Sequence, residues 1–192
     1  MIAIIKYNGG NVRSVQNALN RLGAESIITD DFELIRNSDK VIFPGVGEAS
    51  STMKNLQEKG LDKLIPTLKQ PVLGICLGMQ LMCKNNEEGN TVGMGIFDIN
   101  VKRFPAKDVV PHMGWNTISG FQSSIFKEIE EESDVYFVHS YYCELSKNTT
   151  SVCDYILPFS ASLQKDNFYA MQFHPEKSGK VGSQLIKNFL KL

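Results

Sequence analysis

A strand-to-helix junction at residues 71–83 sets the tightest limit on how this chain can fold. Pro71 to Ile75 is a short apolar run, and Leu77 to Cys83 is apolar and helix-prone. Between them stands Cys76, with Gly74 and Gly78 two residues to either side. This is the cysteine form of a nucleophile elbow, in which a strand turns sharply into a helix. The turn strains the backbone at the nucleophile, so the neighbouring residues must be too small to clash. It also sets the sulfur at a helix N-terminus, where the dipole and free N–H groups favour thiolate over thiol. Most cysteines in soluble proteins are small core residues, so the rest of the chain must decide whether Cys76 is an acyl-transfer nucleophile.

The surrounding pattern supplies the sheet that such an elbow needs. Ile2 to Tyr7 reads as a strand, followed by the loop Asn8-Gly9-Gly10-Asn11. Val12, Val15, Leu19 and Leu22 recur at helical spacing, with Gly23 as the stop. Ser26 to Thr29 and Val41 to Phe43 are further strands, with a turn or small helix between them. Glu48 to Lys59 is helical, closed by Gly60, and Leu61 to Lys69 is a second helix interrupted by Pro66. This alternation implies a parallel sheet covered by helices. Beyond residue 95 the segments 96–104, 116–121, 135–142, 151–156, 160–164 and 167–173 are strand-like and joined by polar turns. Val181, Leu185, Ile186 and Phe189 form a closing amphipathic helix. The expectation is a single α/β domain over residues 1–192, with a mixed, mostly parallel central sheet flanked by helices.

Composition narrows the function classes. Hydrophobic residues at 42% and charged ones at 21% describe an ordinary soluble globule. A formal net charge of −1 offers no general electrostatic reason to bind nucleic acid or an anionic membrane. No apolar run approaches the roughly 20 residues that span a bilayer. The first residues lack the basic start and cleavage site of a signal peptide, so a cytoplasmic location is expected. Cys76, Cys83, Cys143 and Cys153 show no C-x-x-C spacing, which argues against a metal site and implies no disulfides.

Sites in open α/β sheets form at the carboxyl ends of strands, which draws two more segments toward Cys76. Pro44-Gly45-Val46-Gly47 directly follows a strand, and its glycines let N–H groups turn toward a ligand as an oxyanion hole requires. The N–H of Leu77, one residue past the nucleophile, is the second expected donor. His174-Pro175-Glu176 ends the last strand. A cysteine nucleophile needs a base, and the base needs an anion to hold its tautomer. Of the three histidines, His112 lies between Pro111 and Met113, and His139 has no carboxylate near it in sequence. His174 is the best candidate.

Together, Pro44-Gly45-Val46-Gly47, Gly74-Ile75-Cys76-Leu77-Gly78-Met79-Gln80 and His174-Pro175-Glu176 resemble the class I (triad) glutamine amidotransferases in order and spacing across nearly the whole chain. The resemblance implies a flavodoxin-like α/β fold and hydrolysis of L-glutamine through Cys76, His174 and Glu176, with no cofactor. It implies an oxyanion hole from Gly45, Val46, Gly47 and Leu77. It also implies glutamine contacts from Gln80 and from His139, Ser140 and Tyr141. Pro111-His112-Met113-Gly114-Trp115-Asn116, Phe137 to Tyr141 and the early Gly10-Asn11 are similar to one branch, the glutaminase subunits of imidazole glycerol phosphate synthases. That branch implies a heterodimer in histidine biosynthesis. A (β/α)8-barrel cyclase subunit would receive ammonia and make imidazole glycerol phosphate and aminoimidazole carboxamide ribotide. Asn11, Pro111, Met113, Trp115, Tyr136 and Lys177 are the expected contacts with it. Lys6 stands where an acidic residue is common in the branch, and Val109-Val110 where a lysine is frequent. An amidotransferase serving another acceptor, such as a surface-sugar enzyme, and a cysteine hydrolase of another elbow family are the alternatives.

Overall fold

The computed structural model describes residues 1–9 and 11–192. Its first half alternates as β1 (Ile2–Ile5), α1 (Val12–Arg21), β2 (Ser26–Thr29), α2 (Phe32–Arg36), β3 (Lys40–Gly45), α3 (Ala49–Glu58), α4 (Leu61–Leu64), β4 (Val72–Cys76) and α5 (Leu77–Met82). The second half is richer in strands: β5 (Cys83–Asn86), β6 (Thr91–Val92), β7 (Phe97–Arg103), β8 (His112–Ile118), β9 (Ser133–His139) and β10 (Tyr141–Cys143). It continues with β11 (Thr149–Asp154), β12 (Pro158–Lys165) and β13 (Phe168–Met171), and ends on α6 (Gly179–Leu190).

The main sheet runs β11-β12-β13-β4-β3-β1-β2. Its strands from β13 to β2 pair in parallel, while β12 is antiparallel to β13 and β11 to β12. Strands buried on both faces read as continuous apolar runs, and β1 and β4 do. In β1, Ala3 and Ile5 face the core under α3, α4 and α5. Ile2 and Ile4 face the opposite core, built with Val15 and Leu19 of α1 and Leu185, Ile186 and Phe189 of α6. Strand β4, flanked by parallel neighbours on both sides, delivers Cys76 to the carboxyl edge of the sheet.

Three expectations are revised. The helix after Cys76 ends at Met82, and Cys83 opens β5, which joins β10-β7-β5-β6 in a second sheet. Lys84 and the asparagines after it carry no apolar alternation that would reveal a strand. The run 135–142 is two strands broken at Ser140. The strand expected at 116–121 begins earlier, at His112, and stops before Gly120, whose φ is 71°. Among the described residues strand β8 pairs only with β9, in an antiparallel ribbon that sets Trp115 opposite Tyr136.

Candidate active site

Cys76 has φ 53° and ψ −112°. Such a φ is strained for a residue with a side chain. The strain is enforced by close approach of β3 and α5. A Cβ on Gly78 would lie 2.1 Å from the Phe43 carbonyl oxygen, and one on Gly45 would lie 2.3 Å from the Gly78 nitrogen. Only glycine at both positions allows the ladder pair Gly45–Cys76 to form beside the turn. Gly45 is therefore buried packing within β3, whereas Val46 and Gly47 leave the sheet and line the cleft over Cys76. Gly47 has φ 123°, a conformation natural to glycine.

The cleft holds about 370 Å³ and is walled by Val46, Gly47, Cys76, Leu77, Gln80, Glu88, Pro111, Val138, His139, Ser140, Tyr141 and His174. Most of the residues singled out from sequence thus meet in one place. The Cys76 thiol donates toward the Val138 carbonyl at 3.8 Å, and Gln172 Nε2 donates to the sulfur at 3.7 Å.

His174 arrives on the loop after β13. Its N–H donates to the Tyr136 carbonyl of β9, and the Ser178 hydroxyl bonds its carbonyl and accepts from the Tyr136 N–H. Pro175 starts the 3-10 turn Pro175–Lys177, which is pressed against α6 where Gly182 leaves no room for a Cβ. His174 Nδ1 and Glu176 Oε1 stand 2.8 Å apart, with both side chains 1% exposed. Among the described residues His174 Nε2 and Glu176 Oε2 are buried with no hydrogen-bond partner. Burial works against charge on the imidazole, but the neighbouring Cys76 and Glu176 outweigh it and raise the ring from 6.5 to about 10. Anionic neighbours thus favour the protonated ring.

The other two histidines behave oppositely. His139 donates from Nδ1 to the Tyr141 carbonyl at 2.8 Å and accepts at Nε2 from His112 Nδ1 at 3.0 Å. Asn116 Nδ2 donates to His112 Nε2 at 3.2 Å. Both rings sit among Phe104, Phe137 and Phe159. Burial lowers His112 to about 4 and His139 to about 3. Expected as a glutamine contact, His139 has both ring nitrogens already satisfied within the protein, so it shapes the cleft wall without a free polar atom. Gln80 is similarly engaged: Nε2 donates to the Tyr141 carbonyl and to Gln172 Oε1, and Oε1 accepts from Asn86. Its oxygen keeps one lone pair for a substrate N–H.

Several participants were not legible from sequence. Glu88 contributes a carboxylate to the cleft, bonded to the Ala49 N–H at 2.9 Å, and burial raises its pKa. It lies in a polar stretch without periodicity. Gln172 alone carried a signal, since it sits two residues before His174.

Residues 3–192 match the family described as glutamine amidotransferase class-I. The chain belongs to that family. It is 61% identical to the imidazole glycerol phosphate synthase subunit HisH of Bacteroides fragilis over 194 residues, covering 100% of this chain and 99% of the relative. The subunit of the same name from Pasteurella multocida is 46% identical, over 98% of this chain and 96% of that protein. A crystal structure of a glutamine amidotransferase superposes with TM-score 0.75 at 19% identity, covering 99% of this chain and 97% of that one, and so shares the fold.

On the amidotransferase surface next to this site, Trp115 packs edge-on against Tyr136 at 6.1 Å, and the Lys177 ammonium lies 5.9 Å from the Tyr136 ring centre. Trp115 and Met113 are 58% and 63% exposed, so the only Trp is not a core residue. Pro111 bridges this face and the cleft mouth. Asn11 stands half-buried at the N-cap of α1, with no hydrogen bond to the cluster among the described residues. Gly10 lies outside the described residues. Among the described residues no helix is long and apolar enough to cross a membrane.

Proposed function

We propose that this chain hydrolyses the side-chain amide of L-glutamine and hands the ammonia to a cyclase subunit of imidazole glycerol phosphate synthase. One observation carries the chemistry. The His174–Glu176 bond at 2.8 Å occupies Nδ1, leaving Nε2 as the ring atom for the Cys76 cleft.

The cycle uses side chains, peptide N–H groups and water. The Cys76 thiolate adds to the amide carbon, and the carbonyl π-electrons move to oxygen. The resulting oxyanion is met by the Leu77 N–H and an N–H of Val46 or Gly47. Losing one such donor costs about 2.7–4 kcal/mol of barrier. The His174 imidazolium gives its proton to the departing nitrogen, the C–N bond breaks, and ammonia leaves a glutamyl thioester. Neutral His174 then takes a proton from water as the oxygen attacks the thioester, releasing glutamate and restoring the thiolate. Glu176 fixes the tautomer and supports the imidazolium. Gln80, Ser140 and Tyr141 hold the substrate along a wall that His139 props. The Glu88 carboxylate offers a charge partner for the α-ammonium of glutamine.

Identity across the full length to HisH subunits supports a heterodimer with a (β/α)8-barrel cyclase, in the cytoplasm, within one amidotransferase domain. The exposed Met113 and Trp115, with Pro111, Tyr136, Lys177 and Asn11, form the docking face. Large exposed aromatic and Met side chains are favoured interface anchors. The Tyr136 carbonyl accepts from His174, which gives docking a direct route to the triad. Cys76→Ala tests the assignment. It is expected to abolish glutamine hydrolysis while the complex still makes product from added ammonia, and retained glutaminase activity would sink it.

A further inference from the structure

Beneath the cleft lies a buried chain of amides, of which the hydrolytic cycle calls on Gln80 alone. The Glu88 N–H donates to Asn86 Oδ1 at 2.9 Å, and Asn86 Nδ2 donates to Gln80 Oε1 at 3.2 Å. Gln80 Nε2 donates to Gln172 Oε1 at 3.0 Å, and Gln172 Nε2 ends the series on Cys76 Sγ at 3.7 Å. Asn86, Gln80 and Gln172 are 2%, 4% and 0% exposed. Each amide accepts at oxygen and donates onward from nitrogen, so all the bonds run in one direction. Bonds aligned this way polarise one another, and a low-dielectric interior strengthens the effect.

We propose that Asn86, Gln80 and Gln172 form a one-way amide relay that fixes and charges the environment of the Cys76 sulfur. Gln172 is its terminal positioning residue. A donor aimed at sulfur favours the ionised form over the thiol. The direction cannot reverse locally. Gln80 Nε2 is also held by the Tyr141 carbonyl at 3.0 Å, which cannot donate. Asn86 Oδ1 is likewise committed to a backbone N–H. The far end of the relay rests on the residue that lines the cleft as its carboxylate, so the backbone of Glu88 and the sulfur share one hydrogen-bonded frame. The titratable groups that act on the sulfur from other sides are His174, backed by Glu176, the buried phenol of Tyr7, and the buried thiol of Cys143, itself paired with Cys83. None of them replaces a neutral N–H donor.

The proposal rests on Cys76 being the nucleophile, but its test reads the sulfur and not glutamine turnover. Alkylation of Cys76 by iodoacetamide is followed against pH in the wild-type chain, Gln172→Met and Asn86→Leu, with peptide mapping to confirm the site. Gln172→Met conserves length and volume while removing the donor. At pH 7 its alkylation is expected to slow about tenfold, the lower end of what a hydrogen bond to a charged group supplies. Its rate on the alkaline plateau should stay within twofold of wild type. Asn86→Leu, at the other end of the relay, should slow the pH 7 rate about twofold through lost polarisation. A folded Gln172→Met with an unchanged pH 7 rate, or one slowed equally at all pH values, overturns the proposal. Should Gln172→Met fail to fold, amide nitrogen NMR of the wild-type chain decides. A Gln172 side-chain signal that shifts as Cys76 is alkylated is expected, and one that stays fixed refutes the contact.

Discussion

Gly78→Ala should couple stability to catalysis in a way that the geometry fixes in size. The added Cβ would sit 2.1 Å from the Phe43 carbonyl oxygen, against an ordinary contact of 3.4 Å or more. Both partners are backbone, one in β3 and one in α5, so no side chain can swing aside. Relief requires the two elements to part by about 1.3 Å, the difference between those distances. Overpacking of this kind costs about 1–3 kcal/mol, and a clash between two backbones belongs at the upper end. The better helix propensity of Ala returns at most about 1 kcal/mol. The net loss of about 2–3 kcal/mol lowers Tm by about 5–10 °C in a chain of this length. The same displacement moves Val46 and Gly47 away from Cys76, and a misplacement of about 1 Å can cost about a hundredfold in rate. Thermal unfolding by circular dichroism and steady-state glutamine hydrolysis in the presence of the cyclase partner read the two effects. A variant with wild-type turnover and a Tm within 2 °C of wild type would refute the claim that this close approach builds the elbow.

Glu176→Gln keeps an acceptor for His174 Nδ1 and removes only the charge. Loss of a charge-assisted bond should cut kcat about tenfold or more. It should also bring the alkaline limb of the pH–rate profile down from near pH 10, because His174 loses one of the groups that raise it; an unmoved limb would contradict that role. His112 and His139 predict acid sensitivity of the fold. Their folded values, about 4 and about 3, lie below the ordinary 6.5, so their contribution is complete above pH 6.5 and is lost as pH falls through the folded values. At pH 5 His139 alone accounts for about 2 kcal/mol. Urea midpoints at pH 7 and pH 5 check this, and the loss should shrink in His139→Phe.

Much of the site was legible because its chemistry demands residue types that are rare in sequence. A cysteine between glycines, a histidine two residues from a glutamate and a glycine pair after a strand each had few competitors. The carboxyl edge of the parallel sheet then brought them together. The strong apolar runs of β1, β3 and β4 were equally plain, since burial on both faces leaves little room for polar residues. Strand β5 was not legible, because Asn85 and Asn86 owe their extension to pairing with β7 and β6 rather than to any local preference. The same holds for Asn86 and Gln172 as a relay: hydrogen-bond direction is a property of the assembled fold. Gln80 and His139 show the converse limit. Their position beside the cleft followed from the motifs, yet only the packed structure reveals that their polar atoms are committed inward. Residue type alone would put Trp115 in the core; the motif around it puts it on the partner face, and it is exposed on the β8–β9 ribbon.

The central claim is that Cys76 carries the glutamyl group during turnover. Acid quenching of the complex during glutamine hydrolysis, followed by intact mass and peptide mapping, tests it most directly. The account predicts a glutamyl thioester on the peptide containing Cys76, absent from Cys76→Ala. An adduct on Cys83, Cys143 or Cys153, or glutamine turnover that continues in Cys76→Ala, would contradict it.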